Sequence, residues 1–135
     1  MHLAVNTRYA IRLIFRLSSA DSPVCIADLS EQIGLTTRAG ENVHTVLRRH
    51  GITEGTIGPG GGIRLRKKLS AISLGHLMKY FADGVNLRDC LLKASDRCPQ
   101  EKSCAARSEW HGISERLQSF LDNISLADIL TIENK

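Results

Sequence analysis

The stretch LTTRAGENVHTVLRRHG, residues 35–51, decides the predicted fold of this chain. Thr36 or Thr37 can cap a new helix at its start, and Gly51 can end that helix. Three apolar side chains recur at helical spacing and form the predicted inner face: Val43, Val46 and Leu47. The stretch therefore predicts one capped, amphipathic helix.

A shorter helix is predicted just before it, over residues 26–33. This helix would bury Ile26, Leu29 and Ile33, and Gly34 stands in the usual position after a helix end. Two short helices joined by a tight turn are typical of a helix-turn-helix, whose second helix lies in the major groove of DNA. A helical hairpin of any small α-helical protein has the same outline, so this alternative stays open here.

The second of these helices presents polar side chains on its exposed face. Four of them stand near its start and can donate to or accept from base edges: Arg38, Glu41, Asn42 and Thr45. Arg48 and Arg49 follow and are placed for phosphates. These residues are the predicted DNA-reading face.

The segment ITEGTI-GPGGG-IRLRKK, residues 52–68, predicts strand, turn and strand, which together form a wing. The turn GPGGG comprises Gly58, Pro59, Gly60, Gly61 and Gly62, and its glycines allow close approach to a phosphate or the minor groove. Four cations follow and predict added electrostatic attraction: Arg64, Arg66, Lys67 and Lys68. A merely permissive turn is the alternative.

The first predicted helix carries an arginine stripe. Its apolar face comprises Ala10, Leu13, Ile14 and Leu17. Arg8, Arg12 and Arg16 recur every four residues on another face, where they contact either DNA or solvent.

The net charge of +4 is concentrated in the N-terminal half of the chain. Residues 1–70 hold ten Lys and Arg against five Asp and Glu, whereas residues 71–135 hold eight against nine. A basic surplus suits a polyanion partner. With three Phe, two Tyr and one Trp in 135 residues, groove docking on double-stranded DNA is favoured over base stacking on single strands.

Several protein classes are disfavoured by length and hydropathy. The chain has room for one domain with an appended helix, and no apolar run reaches the roughly 20 residues of a membrane span. The N-terminal segment MHLAVNTRYAIRLIFRL is not typical of a secretory signal, because arginines interrupt it. A cytoplasmic protein without a membrane partner is expected.

Helical periodicity returns in the C-terminal part. Leu74, Leu77, Met78 and Phe81 predict a short helix, and a longer one is predicted from Ser103, about 21 residues and roughly 30 Å long. Its seam alternates steps of four and three: Ala106, Trp110, Ile113, Leu117, Phe120 and Ile124. A second copy of the chain is the simplest partner for this seam, which predicts a homodimer; intrachain packing is the alternative.

The expected fold class is mainly α with a small β-hairpin wing, a winged helix-turn-helix plus a long dimerisation helix. Three parts are predicted: a DNA-binding domain over 1–81, a cysteine-bearing loop over 82–104, and the dimerisation helix and tail over 105–135.

Three cysteines, Cys90, Cys98 and Cys104, are spaced C-x7-C-x5-C, while Cys25 stands apart. The C-x2–4-C pairs of structural zinc are absent, and stable disulfides are rare in cytosolic chains. Three thiolates on one loop fit an iron–sulfur cluster better; free thiols without a metal are the alternative.

His111, seven positions beyond Cys104, is the first candidate for a fourth ligand, and a solvent-facing histidine is its alternative. Glu109, Asp89 and Asp96 are lesser candidates.

The motifs RYAIRLIFRL, IADLSEQIGL, GPGGGIRL, the cysteine triplet and SFLDNISLADIL together resemble the IscR/NsrR family of bacterial winged-helix regulators. The resemblance covers nearly the whole chain. It implies a homodimeric regulator, with Cys90, Cys98 and Cys104 ligating a [2Fe–2S] or [4Fe–4S] cluster. It also implies that Glu41 and its neighbours read bases and that Gly58 to Gly62 form the wing.

This chain departs from the family pattern at four positions. Arg107 stands where IscR-like members have a histidine ligand, and Arg8 stands where NsrR members have an aspartate ligand; an arginine replaces neither. Ile57 stands where the wing often has an arginine, and Gly40 occupies an apolar position of the recognition helix.

The cysteine spacing and the GGIRL run are more similar to the NsrR branch. The expected function is therefore a repressor that senses nitric oxide or redox and iron–sulfur status. The alternatives are an IscR-like regulator of iron–sulfur biogenesis and a cluster-free regulator that binds a metabolite or partner protein. A redox enzyme is not expected, because C-x-x-C and Gly-rich cofactor loops are absent.

Overall fold

The computed structural model describes residues 3–82 and 103–133. The helices in these ranges are α1 (Val5–Ser18), α2 (Ile26–Gln32), α3 (Thr37–Arg49), α4 (Leu74–Tyr80), α5 (Arg107–Asp122) and α6 (Leu126–Glu133). Strands β1 (Thr53–Thr56) and β2 (Gly62–Leu65) form an antiparallel hairpin, and a 3-10 turn covers Leu69–Ala71. The predicted class, mainly α with a small hairpin wing, is confirmed.

Helices α2 and α3 form the predicted helix-turn-helix. Gly34, at φ +76°, supplies the left-handed residue after α2. The Oγ1 of Thr36 accepts a hydrogen bond from the Ala39 N–H at 3.2 Å, which confirms the predicted cap of α3. Both helix ends thus follow local rules that can be read from the sequence.

The hairpin is attached to the start of α2 through Val24. The Val24 N–H donates to the Ile63 carbonyl at 2.9 Å, and the Ile63 N–H donates to the Val24 carbonyl at 2.8 Å. Gly62, at φ +149°, permits this approach, because a Cβ there would lie 2.7 Å from the Val24 carbonyl carbon and oxygen. The wing is therefore fixed to the helix-turn-helix by backbone pairing.

One core joins the N-terminal helices to the C-terminal segment. Its fully buried apolar side chains come from α1, α2, α3, α4 and α6: Ala10, Leu13, Ile14, Leu29, Leu47, Leu77 and Leu126. Leu126 also donates its N–H to the Ile72 carbonyl at 3.0 Å. The C-terminal segment thus packs on the same core as the helix-turn-helix.

The predicted long helix is shorter than expected, and the prediction of one 21-residue helix was wrong. α5 has 16 residues and begins at Arg107, so Cys104 precedes it. A new helix, α6, follows, because Ser125 and Asp128 form a reciprocal cap: the Asp128 N–H donates to the Ser125 Oγ at 3.2 Å, and the Ser125 N–H donates to the Asp128 Oδ2 at 2.9 Å. The Ser125 hydroxyl also donates to the Asp128 Oδ2 at 2.7 Å, and this bond, followed by that from the Ser125 N–H, holds the pKa of the Asp128 carboxyl below its ordinary value.

The predicted single seam on α5 divides between two environments. Leu117 and Ile124 pack against the core, whereas Ile113 and Phe120 are 40% and 64% exposed. The reason is that α5 docks on α4: the Ser73 Oγ donates to the Asp122 carbonyl at 2.8 Å. Lys79 Nζ lies 2.9 Å from Asp122 Oδ2, and this bond is the main cause of the lowered pKa of Asp122. Among the described helices, none is long and apolar enough to cross a membrane.

Candidate nucleic-acid interface

A cleft of about 750 Å³ lies between the exposed face of α3 and the hairpin wing. Side chains of α3 form one wall: Glu41, Asn42, His44, Thr45 and Arg48. The wing forms the other wall: Gly55, Thr56, Ile57, Gly61, Gly62 and Ile63. Cys25 and Ile26, at the start of α2, complete the lining. An exposed recognition helix beside a wing is the arrangement by which winged helix-turn-helix proteins dock on duplex DNA.

Four of the predicted DNA-reading residues meet in this cleft. Glu41, Asn42, Thr45 and Arg48 are all exposed on α3. The Thr45 hydroxyl donates to the Glu41 carbonyl at 2.8 Å, so it offers an acceptor to an incoming group. The carboxylate of Glu41 also accepts, Asn42 both donates and accepts, and Arg48 donates. The face thus offers several different hydrogen-bonding patterns to base edges.

Gly40 allows α3 to pack closely on α2. It is buried, and a Cβ at this position would lie 1.9 Å from the Ser30 Oγ. The apolar position noted in the sequence therefore faces α2 and lies away from the cleft. Because Gly40 is small, the two helices can pack closely, and their separation determines how far α3 projects from α2.

His44 connects α3 to the wing. Its Nδ1 lies 3.0 Å from the Oγ1 of Thr53 in β1, and Thr53 is buried. Burial of the imidazole is the main reason that the pKa of His44 lies below its ordinary value, and the nearby Arg48 guanidinium adds to this lowering. The neutral ring therefore acts as a polar contact that orients the wing against the recognition helix.

Several residues predicted to bind DNA lie outside the lining of the cleft. Arg12 lines a separate groove together with Arg16, whose Nε donates to the Gln32 Oε1 at 2.6 Å. Arg8 and Arg38 are exposed on α1 and α3. Gly58, Pro59 and Gly60 form the exposed tip of the wing. The cleft thus gathers the middle of α3 and the two wing strands, while the arginine stripe of α1 lies elsewhere.

Arg64 is paired within the wing. Its Nε lies 2.5 Å from the Oε1 of Glu54, its partner in the strand register. Lys67 and Lys68, predicted to add to the wing's attraction, line a groove with residues 17–23, at the end of α1 and in the connection to α2. The cations after β2 are therefore at the base of the hairpin.

Sequence reasoning missed Cys25, His44 and Ile57 as cleft residues. Cys25 is the N-cap residue of α2 and is exposed. The spacing of His44 from Glu41 and Arg48 places it on the same helical face, which is the one local signal that pointed to it. The contacts of Cys25 and Ile57 with this cleft depend on how the hairpin folds back, and no local pattern encodes that.

The candidate cluster residues are described in part. Cys90 and Cys98 lie outside the described residues. Cys104 is an exposed free cysteine, and its carbonyl accepts a hydrogen bond from the Arg107 N–H at 3.3 Å. His111 lies within α5, with its Nδ1 3.6 Å from the Glu115 Oε1. Since Cys104 precedes the helix, the two-turn spacing that suggested His111 as a ligand does not apply.

In the two described ranges, no group of three or more His, Cys, Asp or Glu side chains converges on a potential metal position. The exposed thiol of Cys104 is nevertheless chemically suited to an iron–sulfur cluster, for which thiolate is the standard ligand.

Known proteins match this chain along nearly its full length. The Rrf2 family, described as iron-dependent transcriptional regulator, matches residues 3–132. The HTH-type transcriptional regulator IscR of Yersinia pseudotuberculosis serotype O:1b is 34% identical, over 96% of this chain and 79% of its own length. IscR of Photobacterium profundum is 32% identical, over 99% of this chain and 78% of its own length.

Solved structures share the fold. T. potens IscR superposes with a TM-score of 0.72 at 23% identity, covering 98% of this chain and 88% of its own. CymR, the global cysteine regulator of B. subtilis, gives a TM-score of 0.72 at 18% identity and covers 98% of both chains. Because the family match and the identities of the relatives extend along most of the chain, this protein belongs to the Rrf2 family of DNA-binding transcriptional regulators.

Proposed function

We propose that this chain regulates transcription as a homodimer that places α3 in the major groove of duplex DNA. The observation that carries this proposal is the cleft in which Glu41, Asn42, Thr45 and Arg48 are exposed beside the wing. In this geometry Asn42 is suited to the paired donor and acceptor of adenine, and Glu41 to the N4 donor of cytosine. Arg48 is suited to a phosphate.

The DNA-binding proposal is tested by selecting duplexes from a randomised pool and measuring affinity at several salt concentrations. Arg48→Ala should weaken binding and reduce the slope of log affinity against log salt by roughly 0.9 for each phosphate that the variant no longer neutralises. Arg116→Ala is the matched control, because Arg116 is exposed on α5 outside the cleft lining. Enrichment of no duplex by the wild-type protein would overturn the proposal.

The proposed cofactor is an iron–sulfur cluster held by Cys90, Cys98 and Cys104. Two findings support it: the family is described as iron-dependent, and the Cys104 thiol is exposed and free of a disulfide. When bound, the cluster would supply redox and nitrosylation chemistry. His111 is proposed as the fourth ligand on its chemistry alone, because its imidazole is exposed on α5 and histidine nitrogen can replace thiolate on a cluster iron. The nuclearity is proposed as [2Fe–2S] or [4Fe–4S].

The effector is proposed to be iron–sulfur status, as in an IscR-like regulator, because the two relatives compared above, at 34% and 32% identity, carry the name IscR. Nitric oxide sensing is the second candidate, on the C-x7-C-x5-C spacing. Either signal would act through α5, which begins three residues after Cys104 and carries the exposed apolar residues proposed for the dimer. A change in the dimer would alter the spacing of the two recognition helices, and binding to two DNA half-sites depends on this spacing. The proposed effect on transcription is repression.

The cofactor proposal is tested by anaerobic purification with visible absorption and iron and sulfide analysis. About four irons per chain that bleach with stoichiometric nitric oxide would favour the nitric oxide sensor, and about two would favour the IscR-like regulator. Cys104→Ser should remove the absorption, whereas Cys25→Ser should retain it. A colourless wild-type protein without iron would instead support a cluster-free winged-helix regulator.

A further inference from the structure

The hairpin of the wing, from the start of β1 to the end of β2, has no net charge. Residues 53–65 contain two charged side chains, Glu54 and Arg64, and these pair with each other across the strand register. The guanidinium Nε that could approach a phosphate is therefore already bonded to a carboxylate, with both side chains at least one-third exposed. The pair lies near the middle of the strands and away from the turn at Gly58 to Gly62.

The cations that follow β2 do not restore charge to the wing tip. Lys67 and Lys68 line the groove beside the α1–α2 connection, and the Arg66 N–H donates to the Ile52 carbonyl at 2.9 Å at the hairpin base. Residues 55–63, between the paired Glu54 and Arg64, are all uncharged. The part of the wing that extends farthest from its base therefore has no charge with which to attract a phosphate.

The tip instead presents one large apolar side chain. Ile57 is 104% exposed, the most exposed of the large apolar side chains in the described residues, and it borders the recognition cleft. The turn beyond it is tight, because the Gly61 N–H donates to the Gly58 carbonyl at 2.9 Å and Gly58 and Gly60 have positive φ angles. Glycines thus leave Ile57 and Pro59 as the side chains that this end of the hairpin carries.

We infer that Ile57 determines specificity as an apolar wedge, with the wing recognising DNA shape and deformability through the minor groove instead of binding phosphates. This inference rests on the proposed DNA binding through α3. Apolar wedges enter between base steps and partly unstack them, and pyrimidine–purine steps unstack most easily. The wing therefore selects flexible TA or CA/TG steps at positions flanking the major-groove contacts.

The wedge makes a contribution to affinity that does not depend on salt. A contact without charge releases no counterion, so the salt dependence of binding comes from α3 and other cationic surfaces. An arginine at the tip would instead favour narrow A-tract grooves and would steepen the salt dependence. The two modes of recognition thus differ in a measurable slope and in the selected sequence.

The experiment applies randomised-duplex selection and salt titration to wild type, Ile57→Ala and Ile57→Arg. Because Ile57 is fully exposed, both variants should keep the wild-type melting temperature. Ile57→Ala should weaken binding to the wild-type-selected duplex roughly tenfold with an unchanged salt slope. Ile57→Arg should steepen the slope by roughly 0.9 per wing and shift selection toward A-tracts.

A fluorescent 2-aminopurine at the flanking pyrimidine–purine step of the wild-type-selected duplex reports unstacking directly. Its fluorescence should rise with wild-type protein and stay low with Ile57→Ala at saturating concentration. Wild-type affinity in Ile57→Ala, or a reduced salt slope in that variant, would overturn the wedge while leaving DNA binding through α3 intact. Failure of the wild type to enrich any duplex would instead overturn the underlying DNA-binding proposal.

Discussion

Gly40 of α3 lies against Ser30 of α2, so closely that a Cβ at Gly40 would lie 1.9 Å from the Ser30 Oγ and 3.1 Å from its Cβ. Both residues are buried, and the Ser30 hydroxyl donates to the Ile26 carbonyl at 2.7 Å. The two helices of the helix-turn-helix can therefore pack this closely because Gly40 has no Cβ methyl group. The position of the recognition helix depends on this contact.

Gly40→Ala should lower the free energy of unfolding by about 1–2 kcal/mol. Overpacking against Ser30 costs about 1–3 kcal/mol, and the better helix propensity of alanine recovers up to about 1 kcal/mol. Thermal and denaturant unfolding measure the change. Gly112→Ala in α5 is the control, since a Cβ there would meet no described atom within 4 Å beyond its chain neighbours and the backbone of its own helix, so propensity alone should stabilise the protein. Equal effects of the two substitutions would contradict the contact.

Thr7→Val should stabilise the protein by about 1 kcal/mol. Thr7 is fully buried in α1, and within the described residues its hydroxyl has no hydrogen-bond partner, so an isosteric methyl removes a desolvation cost. Thr53→Val is the matched control, because the equally buried Thr53 hydroxyl contacts His44 Nδ1 and its loss should destabilise. Denaturant midpoints measure both changes. Destabilisation by Thr7→Val would contradict the inference that the Thr7 hydroxyl is buried at a cost to stability.

His44 should make stability depend on pH below about 6.5. Burial and then Arg48 lower its pKa in the folded protein, so the unfolded chain binds more protons between the folded and unfolded pKa values. The stabilisation by neutral His44 is thus complete above the unfolded pKa and is lost as pH falls toward the folded one. His44→Gln should show a smaller loss of unfolding free energy between pH 7.5 and 5. Parallel curves for the two proteins would exclude this linkage.

Phe120→Lys should dissociate the proposed homodimer. Phe120 and Ile113 are exposed and stand seven positions apart, so they share one face of α5. A charge in place of a central aromatic anchor should raise the dimer dissociation constant at least about tenfold. Sedimentation velocity measures this change. Glu115→Lys introduces the same side chain at an exposed α5 position on the other face and should leave the dimer intact; a Phe120→Lys dimer of wild-type affinity would reject this interface.

The helix-turn-helix was largely readable from the sequence because its signals are local. The Thr36 cap, the positive φ of Gly34 and the buried Val43 and Leu47 all follow from residues within one or two helical turns. The hairpin likewise follows from consecutive glycines between two strand-forming runs. The family resemblance rested on these stretches together with RYAIRLIFRL, the cysteine triplet and SFLDNISLADIL, and it was confirmed.

The C-terminal part was less predictable because its apolar spacing is compatible with more than one packing partner. Apolar residues at alternating steps of four and three indicate a helix face that packs along a partner. Whether Leu117 on that face contacts the chain's own core or another copy depends on where α4 lies. The Ser125 and Asp128 cap was present in the sequence as a helix-start signal, and it explains why the long helix ends before it.

By itself the sequence determined the winged helix-turn-helix, the family and the polar face of α3, since caps, turns and periodicity act over a few residues. Only the tertiary structure decided which side chains meet in the cleft. It placed His44 against Thr53, paired Arg64 with Glu54 and left Ile57 exposed at the wing tip. The physical reason is that these relationships depend on how the hairpin folds back onto the recognition helix, and that contact joins segments whose local patterns are independent of one another.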